Sequence, residues 1–125
     1  GFKLRLANQK HLEVFSQFMP EITPTQFAVL AKLEKTESLS QNLLGRLVGM
    51  DASTTQGVVH RLKKKGYVQS TPSQTDLRRL DISLTADGRA FTATALKTAQ
   101  SISKKTARHL SQREHERLLA LLDKI

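Results

Sequence analysis

The stretch SQNLLGRLVGMDASTTQGVVHRLKKKGYVQSTPSQTDLRR, residues 40–79, decides how this chain folds. It reads as a helix, a tight turn, a second helix and then a short β-hairpin with arginines at its tip. Asp51 suits the N-cap of the second helix, with Ser53 and Thr54 in the first turn. At about 100° per residue, Thr55, Val58, Val59 and Leu62 share one face. Ser53, Gly57, His60 and Lys64 share the opposite face, flanked by Gln56 and Arg61. One side is packed, and the other offers hydroxyls, an amide, an imidazole and cations. Such a helix can lie in a DNA major groove, where these groups meet base edges and phosphates. Taken alone, the pattern is also that of an ordinary amphipathic surface helix.

The whole chain supports the first reading. It has 125 residues and a formal net charge of +9, enough for one domain plus dimerisation helices and suited to a polyanionic partner. An anionic membrane surface would also attract that charge. Apolar runs such as Phe27 to Ala31 fall far short of the ~20 residues of a membrane span. No signal peptide is visible, and Gly1 is not an initiator methionine, so native residues can precede it. The absence of cysteine excludes disulfides and thiol sensing in these residues and fits a reducing, cytoplasmic setting. At 5% aromatic residues, stacking platforms for single strands are not expected.

Outward from the central stretch, residues Lys3 to Met19 read as a helix closed by Pro20, with Leu4, Leu12, Phe15 and Phe18 among its apolar positions. Thr23-Pro24-Thr25-Gln26 is a helix start with a capping box, followed by the apolar stripe Phe27, Leu30 and Ala31. Ser40 caps a short helix whose Leu43, Leu44 and Leu47 are expected inside, and Gly49 lies in the turn before Asp51. Gly66 ends the second helix behind Lys63, Lys64 and Lys65, cations that the helix dipole favours. Tyr67 to Thr71 reads as a strand. Leu80, Ile82 and Leu84 alternate with Asp81 and Ser83 as a second strand with one buried face. Thr85 caps a long helix to about Arg108, anchored by Phe91, Leu96 and Ile102. Ser111 to Glu114 forms another capping box before a last helix with Leu118, Leu119, Leu122 and Ile125 along one side.

The first and last helices carry apolar stripes at the ends of a domain that already has a core. Such stripes mark an interaction surface, and a symmetric dimer built from terminal helices covers them economically. The alternative is that they fold back on their own domain. Phe2, Leu6, Ile102, Leu118 and Leu122 are expected at the dimer joint.

The residues Asp51-Ala52-Ser53-Thr54, Arg61 to Gly66, Asp76-Leu77-Arg78-Arg79 and Leu84-Thr85-Ala86-Asp87-Gly88-Arg89, in this order and spacing, resemble the MarR family of winged-helix transcriptional regulators. The resemblance covers essentially the whole chain. It implies a mainly α fold with a small β-hairpin wing: a winged helix-turn-helix over 23–85 flanked by dimerisation helices at 1–20 and 86–125. It implies a homodimer that binds a pseudo-palindromic operator in double-stranded DNA and releases it when a small ligand binds, repression being the family expectation. The helix from Asp51 to Gly66 would be the recognition helix. Arg78, with Arg79, would reach the minor groove from the wing tip, and Asp76 would pin the wing by pairing with an arginine. Gly57 departs from the larger polar or basic residue that many members carry there.

The contacts expected on DNA divide by type. Lys64, Arg61 and the helix N-termini near Ser40 and Asp51 would hold phosphates. Ser53, Thr54, Gln56 and His60 would face base edges. Arg78 would read a narrow A·T-rich groove. Lys65 reads as a solvated helix end.

Arg5, His11 and Phe15 are the candidate effector residues. His11 and Phe15 share a helix face, and the trio suits an aromatic carboxylate or an aryl-CoA thioester. The pattern Gly1-Phe2-x-Leu4-Arg5 with His11-x-x-x-Phe15 resembles a subgroup that controls aromatic-compound catabolism. An equal alternative makes Arg5 a surface cation and His11 a packed interface residue. The four histidines, His11, His60, His109 and His115, are dispersed and suggest no metal site. No cofactor is indicated. With no phosphate loop, nucleophile elbow or carboxylate pair, an enzyme is not expected. The rival reading is a winged-helix module for protein–protein contacts, or for non-specific nucleic-acid binding without an effector.

Overall fold

The computed structural model describes residues 1–125. Helix α1 (Phe2–Phe18) leads into α2 (Pro24–Lys35), the short strand β1 (Leu39–Ser40), α3 (Gln41–Leu47) and α4 (Ala52–Lys64). Strands β2 (Val68–Pro72) and β3 (Leu80–Leu84) form the wing, followed by α5 (Ala86–Thr106) and α6 (Gln112–Leu122). The sheet runs in the order β1-β3-β2, antiparallel throughout, with Leu39 opposite Ile82, Val68 opposite Leu84 and Pro72 opposite Leu80. No helix is long and apolar enough to cross a membrane.

Local chemistry sets the boundaries. Thr23 and Gln26 close a complete capping box on α2: the Gln26 N–H donates to Thr23 Oγ1 at 3.2 Å, and Gln26 Oε1 accepts the Thr23 N–H at 3.1 Å. Ser111 and Glu114 repeat it on α6. Gly49, at φ 70°, turns the chain between α3 and α4 in a conformation that side chains resist. One core joins Val29, Leu30 and Leu33 of α2, Leu44 of α3, Val58, Val59 and Leu62 of α4, the inward residues of the sheet, and Ala95 and Ile102 of α5. Val14 and Phe15 bring α1 into it. Gly88 holds α5 against the start of the wing, where an added Cβ would lie 1.8 Å from the Tyr67 carbonyl oxygen.

Several expectations need correcting. Ile102 is 1% exposed and packs inside its own subunit, so it is not a dimer-joint residue. Of the three leucines of α3 only Leu44 is buried; Leu43 and Leu47 are exposed, Leu47 at 48%. The seven-residue α3 packs against α4, α2 and the sheet through a narrow inner stripe on which only Leu44 and Gly45 are buried. Leu80 is also exposed, because it sits where the hairpin leaves the core. Strand β1 is an element that the sequence reading missed, making the sheet three-stranded rather than a bare hairpin.

Candidate nucleic-acid interface

Helix α4 buries Thr55, Val58, Val59 and Leu62, as its periodicity predicts, and turns Ser53, Thr54, Gln56, His60, Arg61 and Lys64 outward. Its height above the surface is fixed by a close crossing with α3. A Cβ on Gly45 would meet Thr55 Oγ1 at 2.5 Å, so only glycine lets the helices approach this far. The Thr55 hydroxyl donates to the Asp51 carbonyl at 2.7 Å.

The start of α4 is already occupied. Asp51 Oδ1 accepts the Thr54 N–H at 2.7 Å. That backbone donor, then the Thr54 hydroxyl, and more weakly the Ser53 N–H, hold the Asp51 carboxyl below its ordinary value. The cap takes the Thr54 N–H and places a negative charge at this end of the helix. Ser40 likewise spends its hydroxyl oxygen on the Leu43 N–H at 3.3 Å. At each helix start the cap accepts one backbone N–H, and the Ser40 hydroxyl hydrogen stays available to a phosphate oxygen.

The wing tip is organised around Ser73, a buried residue in the loop. Its hydroxyl oxygen accepts the N–H groups of Thr75 and Asp76, each at 3.3 Å, and a guanidinium N–H of Arg79 at 3.2 Å. Asp76 Oδ1 accepts the Arg78 backbone N–H at 3.0 Å. Asp76 thus pins the loop through a backbone turn and does not pair with an arginine side chain. The ion pair of the wing is Arg79 with Asp81, at 3.3 Å but not aligned as a hydrogen bond. Arg79 is a strut of the tip. Arg78 is exposed and has no side-chain partner, which leaves its guanidinium available.

Between α4 and the wing runs a groove of about 610 Å³, lined by Ser53, Gln56, Gly57 and His60, with Gln41, Lys63 and Leu80 at its edges. Lys63 is a residue the sequence reading left out. It follows Gln56 by seven positions and His60 by three, so the same periodicity points to it. Gly57 is not needed for packing: an added Cβ would meet only the Arg61 guanidinium, at 3.5 Å. Lys65 is not merely solvated, since its ammonium donates to the Glu21 carbonyl at 2.8 Å.

The three candidate effector residues separate. His11 and Phe15 have ring centroids 6.2 Å apart. Thr106 donates its hydroxyl hydrogen to the Ile102 carbonyl, so His11 Nδ1, 3.1 Å from Thr106 Oγ1, is assigned as the donor. Arg5 stays on the surface, 3.4 Å from Gln9 Oε1 and over the Phe2 ring. Phe15 faces a groove between α1 and α2, whereas His11 opens on a separate depression shared with His109 and His115. The fold thus gathers three histidines that look scattered in sequence, without placing three metal-ligating groups close enough to hold an ion.

A capped helix-turn-helix, a hairpin beside its second helix and a free arginine at the hairpin tip define a winged helix-turn-helix protein. The MarR family profile matches residues 22–80. The transcriptional repressor NicR of Pseudomonas putida is 33% identical over 127 residues, covering 100% of this chain and 80% of NicR. A probable transcriptional regulator from Pseudomonas aeruginosa superposes with a TM-score of 0.97 at 42% identity, over 99% of this chain and 94% of that one. BpsR of Bordetella bronchiseptica, whose DNA binding is regulated by 6-hydroxynicotinic acid, superposes with a TM-score of 0.94 at 31% identity, over 99% and 90%. The chain belongs to the MarR family of transcriptional regulators.

Proposed function

We propose that two copies of this chain bind a pseudo-palindromic operator in double-stranded DNA and repress transcription until a small ligand releases them. The observation that carries this is the polar face of α4, free of intramolecular partners along Ser53, Gln56 and His60, beside the unpaired Arg78 of the wing. Ser53, Thr54, Gln56 and His60 would read bases, Arg61, Lys63 and Lys64 would hold phosphates, and Arg78 would enter the minor groove. Phe2, Leu6, Leu118 and Leu122, all exposed in the single chain, would pack in the dimer, where 1–20 and 86–125 form the joint and 23–85 the reading head. The expected effector is an aromatic acid or its coenzyme A thioester. His11 and Phe15 support this, as does the likeness to BpsR. No catalytic role is proposed, and a cytoplasmic location follows from the DNA target.

Footprinting on duplex selected by the protein from a random pool tests the reading. Two protected half-sites about 10 base pairs apart are expected. A single unsymmetrical footprint, or binding that raised salt abolishes equally for all sequences, would leave only a non-specific module.

A further inference from the structure

Gly57 stands in the middle of α4 without a reason inside the chain. Its backbone is ordinary helix, since only Gly49 and Gly66 have positive φ. Gly45 and Gly88 are forced by close neighbours, at 2.5 Å and 1.8 Å from an added Cβ. At Gly57 the nearest atoms belong to the flexible Arg61 guanidinium, at 3.5 Å or more. Glycine in a helix interior is less stable than alanine, and here neither packing nor turn geometry offsets that loss. The residue lies on the outward side of α4, in the cleft of about 610 Å³ between that helix and the wing. Leu80 of β3 lines the same cleft and is 52% exposed. A strip of helix backbone without side chain thus shares an open cleft with an apolar residue of the wing. A helical glycine with no internal cause points to the close approach of something else.

We propose that Gly57 is where one sugar–phosphate strand of the operator comes closest to the protein, seated on the backbone of α4 with Leu80 against its deoxyribose. This rests on the operator-binding reading above and deepens it. The reason is topological. A single sugar–phosphate strand separates a major groove from the minor groove beside it. With α4 in the first and the wing in the second, that strand has to pass through the cleft between them, over Gly57 and Leu80. A side chain at Gly57 would hold the strand off and lift Gln56 and His60 from the base edges, where hydrogen bonds form only over about 2.7–3.2 Å. The Arg61 guanidinium, beside the vacant Cβ position, is placed to pair with a phosphate of the same strand. Leu80 offers the sugar an apolar wall without charge, so its contact releases no counterion. Gly57 therefore sets how deeply α4 reads, and with it the specificity of the reading.

The test compares Gly57→Ala, Gly57→Leu and Leu80→Ser in the full chain, by thermal melts and by titration of the selected duplex at several salt concentrations. Alanine and leucine are better helix formers than glycine, so both substitutions at Gly57 should raise the melting temperature. Both should nonetheless weaken duplex binding, Gly57→Ala by about fivefold and Gly57→Leu by on the order of a hundredfold, the span of overpacked contacts. A gain in stability with a loss of affinity is not the signature of misfolding. Leu80→Ser should weaken binding by roughly fivefold and leave the slope of log affinity against log salt unchanged, whereas Arg61→Ala should reduce that slope by about 1. The loss in Gly57→Leu should persist in an Arg61→Ala background. A Gly57→Leu chain that binds the selected duplex as tightly as the wild type overturns the close approach. So does a fall in its melting temperature, which would place the new side chain against the protein, and so does a loss that vanishes without Arg61. A salt slope that changes in Leu80→Ser removes the leucine from the seat. A wild-type chain that enriches no duplex from the random pool fails the operator reading itself.

Discussion

The winged core and the terminal helices solve opposite problems. From α2 to the start of α5 most apolar side chains turn inward, Leu43, Leu47, Leu77 and Leu80 excepted, and hydroxyls, amides and cations make up much of the surface. In α6 no residue is buried, although Leu118, Leu119, Leu121 and Leu122 occupy it, and Phe2 at the far end of α1 is 68% exposed. The core is finished by one chain. The terminal helices are not, and their leucines have a physical reason only if something apolar covers them.

The sharpest way to break the core is at Gly88. Gly88→Ala places a Cβ 1.8 Å from the Tyr67 carbonyl oxygen, which is backbone and cannot turn aside. A loss exceeding roughly 3 kcal/mol of unfolding free energy is expected in thermal or urea melts. Gly57→Ala is the control, because the added methyl meets only the flexible end of Arg61. It should raise stability by up to ~1 kcal/mol through helix propensity alone. If the two substitutions cost the same, the close approach of α5 to the wing is misplaced.

Breaking the terminal helices should have the reverse character. Leu118→Glu with Leu122→Glu removes two side chains, each worth about 1.5–3 kcal/mol when fully buried. The unfolding of the winged core should survive, since α6 contributes nothing to it. Sedimentation should show dimer giving way to monomer. A wild-type chain that sediments as a monomer at micromolar concentration would remove the reason given for the leucines.

The contrast also explains what could be read from the sequence. Helix α4 was legible because its four inward residues sit on one undisturbed 3.6-residue repeat with an aspartate in front and a glycine behind. The three-strand sheet was not, since a two-residue β1 carries no repeat and exists only because β3 offers it an edge. Ile102 misled for a related reason: a helix as long as α5 serves its own core on one face, and which face meets a partner is decided by tertiary packing. Arg78 and Arg79 are neighbours of one chemistry, and only the position of Ser73 and Asp81 separates a free group from a strut.

That separation gives the next expectation. Arg78→Ala should weaken binding to the selected duplex by on the order of tenfold and leave the melting temperature unchanged. Arg79→Ala should instead loosen the wing tip, visible as faster amide exchange at Thr75 and Asp76. Lys64→Ala should reduce the slope of log affinity against log salt by about 1. Equal effects of both arginine substitutions on DNA and on exchange would erase the distinction.

The smallest effect is the acid response of the outward helix. The Asp51 carboxyl is lowered in the folded chain by the N–H and hydroxyl of Thr54. A folded value below the unfolded one means that the unfolded state binds the proton more readily. The cap's contribution is therefore fully present above the ordinary aspartate value of 3.8 and fades as pH falls through the lowered folded value. Asp51→Asn keeps an N-capping oxygen but nothing that titrates, so its stability should fall less steeply than the wild type's across that acid window. Glu114, lowered by the Ser111 N–H and then its hydroxyl, marks the start of α6 in the same way. If Asp51→Asn and the wild type follow parallel acid limbs, the charge on the cap contributes nothing to the stability of α4.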